Sequence, residues 1–211
     1  MISLPRPTFD TPAESFDVTS ASEGCDGEAK PGVLAFRDFV IERLGGADLG
    51  IVRACGVGKP SDHHEGRAWD WGLNAASDDD QERAASLFDW LLTDDAELWR
   101  RAGLRYVIWD SMLWSTKAGR WAKYQGPNPH TDHVHISLGW AGALAETSLY
   151  SWLDVAPPNP PPVDPITPPG GSASDGSWLL WAALAGLTGV AAIGLAAPQK
   201  SRSRLGKPGR L

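Results

Sequence analysis

Apolar residues along this chain fall into short blocks whose spacing switches between helical and alternating. Val33, Phe36, Val40 and Leu44 recur near helical spacing. Pro31 suits a first helical position ahead of them, and Gly45-Gly46 stops the pattern. Residues 51–55 read as a short strand. Residues 68–73 read as another, with Trp69, Trp71 and Leu73 on one face and Asp70 on the other. An amphipathic helix is predicted over residues 78–92, carrying Ala84, Leu87, Phe88 and Leu91, and a shorter one over 94–102, ending at Gly103. Strands follow at 105–109 and 112–114, with a turn at 116–119. Residues 133–138 form the last predicted strand. The pattern is α+β: a small, mostly antiparallel sheet flanked by helices.

The two ends follow different rules. Residues 1–24 are rich in Pro, Ser, Thr, Asp and Glu. They read as an extended or poorly ordered arm and show no secretory signal peptide. Residues 25–155 carry the globular pattern. Residues 156–177 form a linker whose prolines cannot donate ladder hydrogen bonds and stiffen the chain. Residues 178–197 contain no charge. At ~1.5 Å per residue a helix of that length spans ~30 Å, the hydrocarbon thickness of a bilayer. Trp178 and Trp181 suit one interface, and Lys200, Arg202, Arg204, Lys207 and Arg210 follow in the tail, residues 198–211. The expectation is a C-terminal transmembrane helix with its basic tail in the cytoplasm and the globular domain outside. The absence of a visible signal stands in tension with that export.

Composition narrows the partners. The 211 residues carry a formal charge of -7, which argues against a nucleic-acid partner, since phosphate binding needs a basic face. The 11 tryptophans suit cores, sugar-facing clefts and membrane interfaces alike. The two cysteines, Cys25 and Cys55, form no Cys-x-x-Cys pair. Two readings stay open for them: a disulfide of an oxidising compartment, closing a loop of roughly 30 residues, or two buried free thiols.

The candidate chemistry is concentrated in two stretches. Residues 61–70 hold Ser61, Asp62, His63, His64, Glu65, Arg67 and Asp70, and residues 130–135 hold His130, Asp132, His133 and His135. Two histidines and an aspartate are ligands zinc accepts, and three protein ligands leave a position free, which is the catalytic pattern. A water there would have its pKa lowered, and a substrate carbonyl would be polarised. His133 and His135 share one strand face, so both can reach one site. Asp70 points away from Trp69 and Trp71, and His63 can fold back towards it through a glycine-containing loop. Arg53 and Arg67 are either surface charges or a clamp for a substrate carboxylate.

Ser61-x-His63-x-x-Gly66-x-Ala68-x-Asp70 followed by His133-x-His135 resembles the motif pair of the LAS group of zinc peptidases. That group includes lysostaphin-type enzymes, D-Ala-D-Ala carboxypeptidases and the hedgehog signalling domain. Within it the closer likeness is to the D-Ala-D-Ala carboxypeptidase branch, and there the chain looks like the peptidase-like C-terminal domain of actinobacterial cell-envelope proteins. The features carrying this likeness are the cysteine pair, residues 66–70 and residues 130–135, and the likeness covers roughly residues 25–153. The resemblance implies zinc on His63, Asp70 and His135. It implies cleavage of a peptide bond next to a D-amino acid in peptidoglycan stem or cross-link peptides. Ser61, Arg53 and Arg67 are the expected substrate-binding residues. The general base is expected at Asp132, three residues before the last ligand, with His133 stabilising the oxyanion; the reverse assignment stays open. Three rivals are carried forward: a non-catalytic zinc-containing module that binds wall or a partner, a phage-encoded lysin of the same chemistry, and a phosphoesterase suggested by Asp62-His63-His64.

Overall fold

A computed structural model describes residues 1–18, 22 and 24–157. The linker beyond residue 157, the expected membrane helix at 178–197 and the basic tail lie outside the described residues. Among the described residues no helix is long and apolar enough to cross a membrane.

The domain is α+β, built on a single six-stranded sheet. In chain order the elements are α1 (Pro31–Leu44), β1 (Ala47–Asp48), β2 (Ala68–Gly72), α2 (Asp78–Arg101), β3 (Leu104–Trp109), β4 (Met112–Ser115), β5 (Arg120–Lys123), β6 (His133–Leu138), α3 (Trp140–Ala143) and α4 (Ser148–Trp152). The sheet order is β1-β2-β6-β3-β4-β5, and every neighbouring pair is antiparallel. The last strand therefore inserts between β2 and β3, which brings the second histidine cluster beside Asp70.

Alternation gives the sheet two unlike faces. Trp69 and Trp71 of β2, Val107 and Trp109 of β3, and Val134, Ile136 and Leu138 of β6 are buried in one cluster with Val33, Phe36 and Val40 of α1 and Leu87 and Leu91 of α2. The opposite face carries Asp70, Tyr106, Ile108, His133, His135 and Ser137. Register sets these side by side: Asp70 and Ile108 each pair with His135, and Tyr106 pairs with Ser137.

Several sequence expectations need correction. Residues 51–55 form no strand; the short strand is β1, four residues earlier. Beyond β1 the backbone keeps only two bonds to β2, through Leu49 and Gly50. Gly50 adopts a φ of 114° there, and the chain leaves the sheet. The two helices expected at 78–92 and 94–102, by contrast, are both present: α2 is two helices joined across a kink at Thr93–Ala96, where Asp94, Asp95 and Ala96 take positive φ. Strand β5 has no counterpart in the sequence reading. Its burial pattern is almost wholly exposed, so it lacks the alternation that marks a half-buried strand.

The N-terminal arm is extended and held. The Ile2 N–H donates to Ser86 Oγ at 2.8 Å, and Trp90 Nε1–H donates to the Pro5 carbonyl at 2.9 Å. Arg101 donates to the Thr11 carbonyl and lies 3.8 Å over the Phe9 ring. Cys25 and Cys55 form a disulfide with a Cα–Cα distance of 5.8 Å. It ties the segment ahead of α1 to the loop that follows β1.

Candidate metal centre

The segment between β1 and β2 delivers the first histidine. Residues Asp62–Glu65 form one tight 3-10 turn, which ends at Gly66 in the left-handed region with φ 65°. A side chain at residue 66 would also collide with the Glu28 carbonyl, 1.7 Å from the Cβ position. Glycine is therefore required twice over at this point of the motif. The turn aims His63 back over β2. Its Nδ1 donates to the Ile51 carbonyl at 2.8 Å, which leaves Nε2 bare and directed at the sheet.

His63 Nε2 lies 3.2 Å from Asp70 Oδ1 and 3.2 Å from His135 Nδ1. His135 Nδ1 lies 2.9 Å from Asp70 Oδ1. These three donors form a group that could hold a metal ion. Ligands at zinc distances in tetrahedral array stand about 3.3 Å apart, close to the spacing seen here. The donor set itself fits a cation. With Nδ1 of His63 committed as a donor, its Nε2 presents a lone pair, and a carboxylate oxygen presents only lone pairs. Burial of His135 pushes its imidazole below the ordinary range, against the pull of Asp70, so the neutral ring is favoured. Burial alone would raise the Asp70 carboxyl, but hydrogen bonding to His135 and His63 outweighs it and holds the acid well below the usual carboxylate range.

His133 stands on the same face, one alternation away. Its Nε2 is 3.7 Å from Asp70 Oδ1, and its Nδ1 is 2.7 Å from Asp132 Oδ1. The Asp132 side chain is 81% exposed. It is spent on the outer edge of the His133 ring, away from the three ligands. Its hydrogen bond to His133 lowers its pKa.

The remaining sequence candidates separate into two groups. Arg53 is exposed and lies 3.5 Å from Ser61 Oγ, so this pair sits together beside His63. Arg67 does not join them. It is fully buried and binds Asp62 at 2.7 Å, Glu65 at 2.6 Å and the Leu138 carbonyl at 2.9 Å. The 3-10 turn sets Asp62 and Glu65 around this guanidinium, so Arg67 serves the fold and the substrate-clamp expectation for it is corrected to a structural one. His64 is also buried, and neither a surface nor a ligand residue. Its Nδ1 accepts from the Ser61 N–H, and its Nε2 donates to the Val57 carbonyl, which closes the disulfide-bearing loop.

Three residues bear on the site that the sequence reading left unassigned or ambiguous. Tyr106 stacks on His135 with 5.3 Å between ring centroids, and its hydroxyl is 3.3 Å from His135 Nε2. His130 lies 4.8 Å from the His133 ring, and burial pushes its imidazole down to about 4. Asp62, next to His63 in the chain, is buried and takes Arg67, Arg105 and the Ser137 hydroxyl on its carboxylate. Strand parity gives the face of Tyr106, but only the pairing of Ile108 with His135 shows that this face is the site.

A groove of about 740 Å³ runs from Tyr106 across β3 and β4, lined among others by Ile108, Leu113, Ser115, Lys117 and Tyr124. It begins at the ring that touches His135.

No curated protein and no solved structure matches the chain. The family model for the VldE C-terminal domain matches residues 25–135, from the first disulfide cysteine to the last of the three converging ligands. That stretch is just over half of the chain, and the chain belongs to the VldE C-terminal domain family, a domain family related to the LAS peptidases.

Proposed function

We propose that this chain is a zinc-dependent peptidase acting on peptidoglycan stem or cross-link peptides, at a bond next to a D-amino acid. The observation that carries the reading is the convergence of His63 Nε2, Asp70 Oδ1 and His135 Nδ1 beside a histidine whose free nitrogen faces them. Zinc held there supplies a polarised substrate carbonyl and a water of lowered pKa.

The chain's own residues do the rest. Asp132 takes the Nδ1–H of His133, which fixes the tautomer with a lone pair on Nε2. Nε2 then accepts the proton of the attacking water and returns it to the leaving amine. The general base therefore passes to His133, and Asp132 orients it. Arg53 with Ser61 on one side, and the groove over β3 and β4 on the other, hold the peptide across the centre.

The disulfide supports an extracytoplasmic site of action, because such a bond persists in oxidising compartments. With the apolar run at 178–197 as anchor, the domain would work at the outer face of a membrane. The test uses the protein with one equivalent of zinc and purified peptidoglycan, and products are read by mass spectrometry with and without chelator. Chelator-sensitive release of amino acids or shortened stem peptides is expected.

A second reading, a non-catalytic zinc module that binds wall peptides, draws on one observation. Asp132 stands outside the ligand cluster and bonds to His133. Tight zinc binding with no product from any wall chemotype would favour it.

A further inference from the structure

We propose that His130 is a substrate-binding residue: its Nε2 accepts a backbone N–H of a peptide lying in the groove over β3 and β4, at the end where the groove meets the metal centre. The inference rests on the peptide reading above and adds a contact which that reading does not contain.

The position of the ring comes first. Its centroid lies 4.8 Å from that of His133 and 5.8 Å from that of His135. It also meets Tyr124 edge to face at 5.3 Å, and Tyr124 is a wall of the groove. The groove thus touches the histidine cluster at two points, through Tyr106 on His135 and through Tyr124 on His130. A peptide that reaches from the groove to the three ligands comes within range of the His130 ring.

The ring is fixed from its own loop. His130 has a φ of 54°, a left-handed conformation uncommon outside glycine, although histidine enters it more readily than most residues. Its N–H donates to Asn128 Oδ1 at 3.1 Å, and its carbonyl accepts from the Asp110 N–H at 2.9 Å. Its Nδ1 lies 2.6 Å from the Asn128 carbonyl. A carbonyl only accepts, so Nδ1 carries the proton, and in the neutral ring Nε2 presents a lone pair. Nε2 is the outer end of the ring, and it has no hydrogen-bond partner among the described residues. It is not one of the unpartnered atoms sealed from solvent, so a ligand can reach it. Closing the loop uses Nδ1 alone. The other nitrogen is held in place beside the histidine cluster and left open, and the N–H that any peptide carries is the donor that matches it.

The experiment uses the full-length protein, a stem pentapeptide ending in two D-alanines, and the same peptide N-methylated at one amide at a time. Each methyl group removes one N–H. KM and kcat are measured on the zinc-loaded protein at pH 8. Affinity for each peptide is measured by calorimetry on the metal-free protein, where no zinc is present to drive cleavage. His130→Phe keeps a ring and removes the acceptor. It should raise KM and Kd roughly two- to tenfold, with zinc content unchanged and kcat less affected. His130→Gln, whose amide oxygen reaches the place of Nε2, should recover most of the loss. One N-methylated peptide should bind the wild type more weakly by a similar factor and lose nothing further in His130→Phe, a pattern that a purely structural role would not produce. If His130→Phe fails to fold, His130→Ala in the same comparison decides. Equal Kd values for the wild type and the variant across the series would overturn the proposal. So would losses that multiply at every amide, which would leave His130 with the loop alone, or a wild type that binds none of the peptides. Peptide binding that depends on His130 without hydrolysis by the zinc-loaded wild type would sink the peptidase reading and leave this contact standing.

Discussion

His133 stands between two carboxylates: its Nδ1 is 2.7 Å from Asp132 Oδ1, and its Nε2 is 3.7 Å from Asp70 Oδ1. The ring therefore has one nitrogen held from outside and one facing the ligands. Replacing His133 by Ala should leave zinc bound stoichiometrically and cut peptide hydrolysis by roughly 10²-fold or more, the usual scale of a lost general base. Asp132→Ala keeps the ring but frees its tautomer, so its loss should be smaller, about tenfold. Both follow from kcat measured beside metal content. A dead Asp132→Ala next to an active His133→Ala would return the base to Asp132.

The three converging donors make metal binding a proton competition. His135→Ala should abolish stoichiometric zinc, measured by elemental analysis after dialysis; full retention would remove His135 from the ligand set. In the wild type, zinc affinity should fall as the pH drops through the imidazole range. The metal-free fold should weaken in the same direction. His135 is depressed by burial and Asp70 by its imidazole partners, so the unfolded chain binds more protons than the fold at each group. Each contribution is present above the unfolded pKa, about 6.5 for histidine and about 3.9 for aspartate, and is lost as the pH falls below it. Urea midpoints at pH 8 and pH 5 read the sign, and a higher midpoint at pH 5 would contradict it.

Much of this site was legible before the fold was known, for physical reasons. Trp69 and Trp71 flank Asp70, and strand parity alone puts the carboxylate opposite the tryptophans. The same parity places His133 with His135. Pairing was not legible. Nothing in residues 104–109 says that β6 inserts between β2 and β3, so Tyr106 could not be joined to His135. Arg67 was misread because an arginine near a ligand looks like a clamp until its direction is known. Its burial follows from the 3-10 turn, which places Asp62 and Glu65 where the guanidinium must meet them. Residues 51–55 misled in another way. Ile51 is buried, yet its carbonyl serves His63 and not a neighbouring strand.

The loop bearing Ile51 and Arg53 is fastened by Cys55. In the chain-entropy model a crosslink closing a loop of this size stabilises by about 3 kcal/mol. Cys55→Ser together with Cys25→Ser should lower stability by about that amount, measured by urea unfolding with and without reductant. The consequence should also reach the site, because Ile51 accepts from His63 Nδ1 and the Arg53 N–H donates to the His63 carbonyl. Zinc affinity should therefore fall in the double variant. Equal affinity in the two proteins would show that the 3-10 turn holds His63 unaided.

The groove over β3 and β4 gives the last test. Its floor is the site face of the sheet, with Tyr106, Ile108, Leu113 and Ser115, and the turn after β4 brings Lys117 to its edge. Arg105 lines it too, but that guanidinium is engaged with Asp62, and Asp17 adds an opposing charge. Lys117 is exposed, so its pull on an acidic peptide is that of a surface charge, worth roughly 0.2–1 kcal/mol and screened by salt. Lys117→Glu should therefore raise KM for a stem peptide carrying free carboxylates by roughly two- to fivefold at low ionic strength. It should leave kcat and zinc content unchanged, because the residue lies beyond the ring that touches His135. Leu113→Asp places a charge in the apolar floor itself, so its effect on KM should persist at high salt. If both variants keep the wild-type KM at low salt, the peptide does not run over β3 and β4, and the Arg53–Ser61 side must hold it instead.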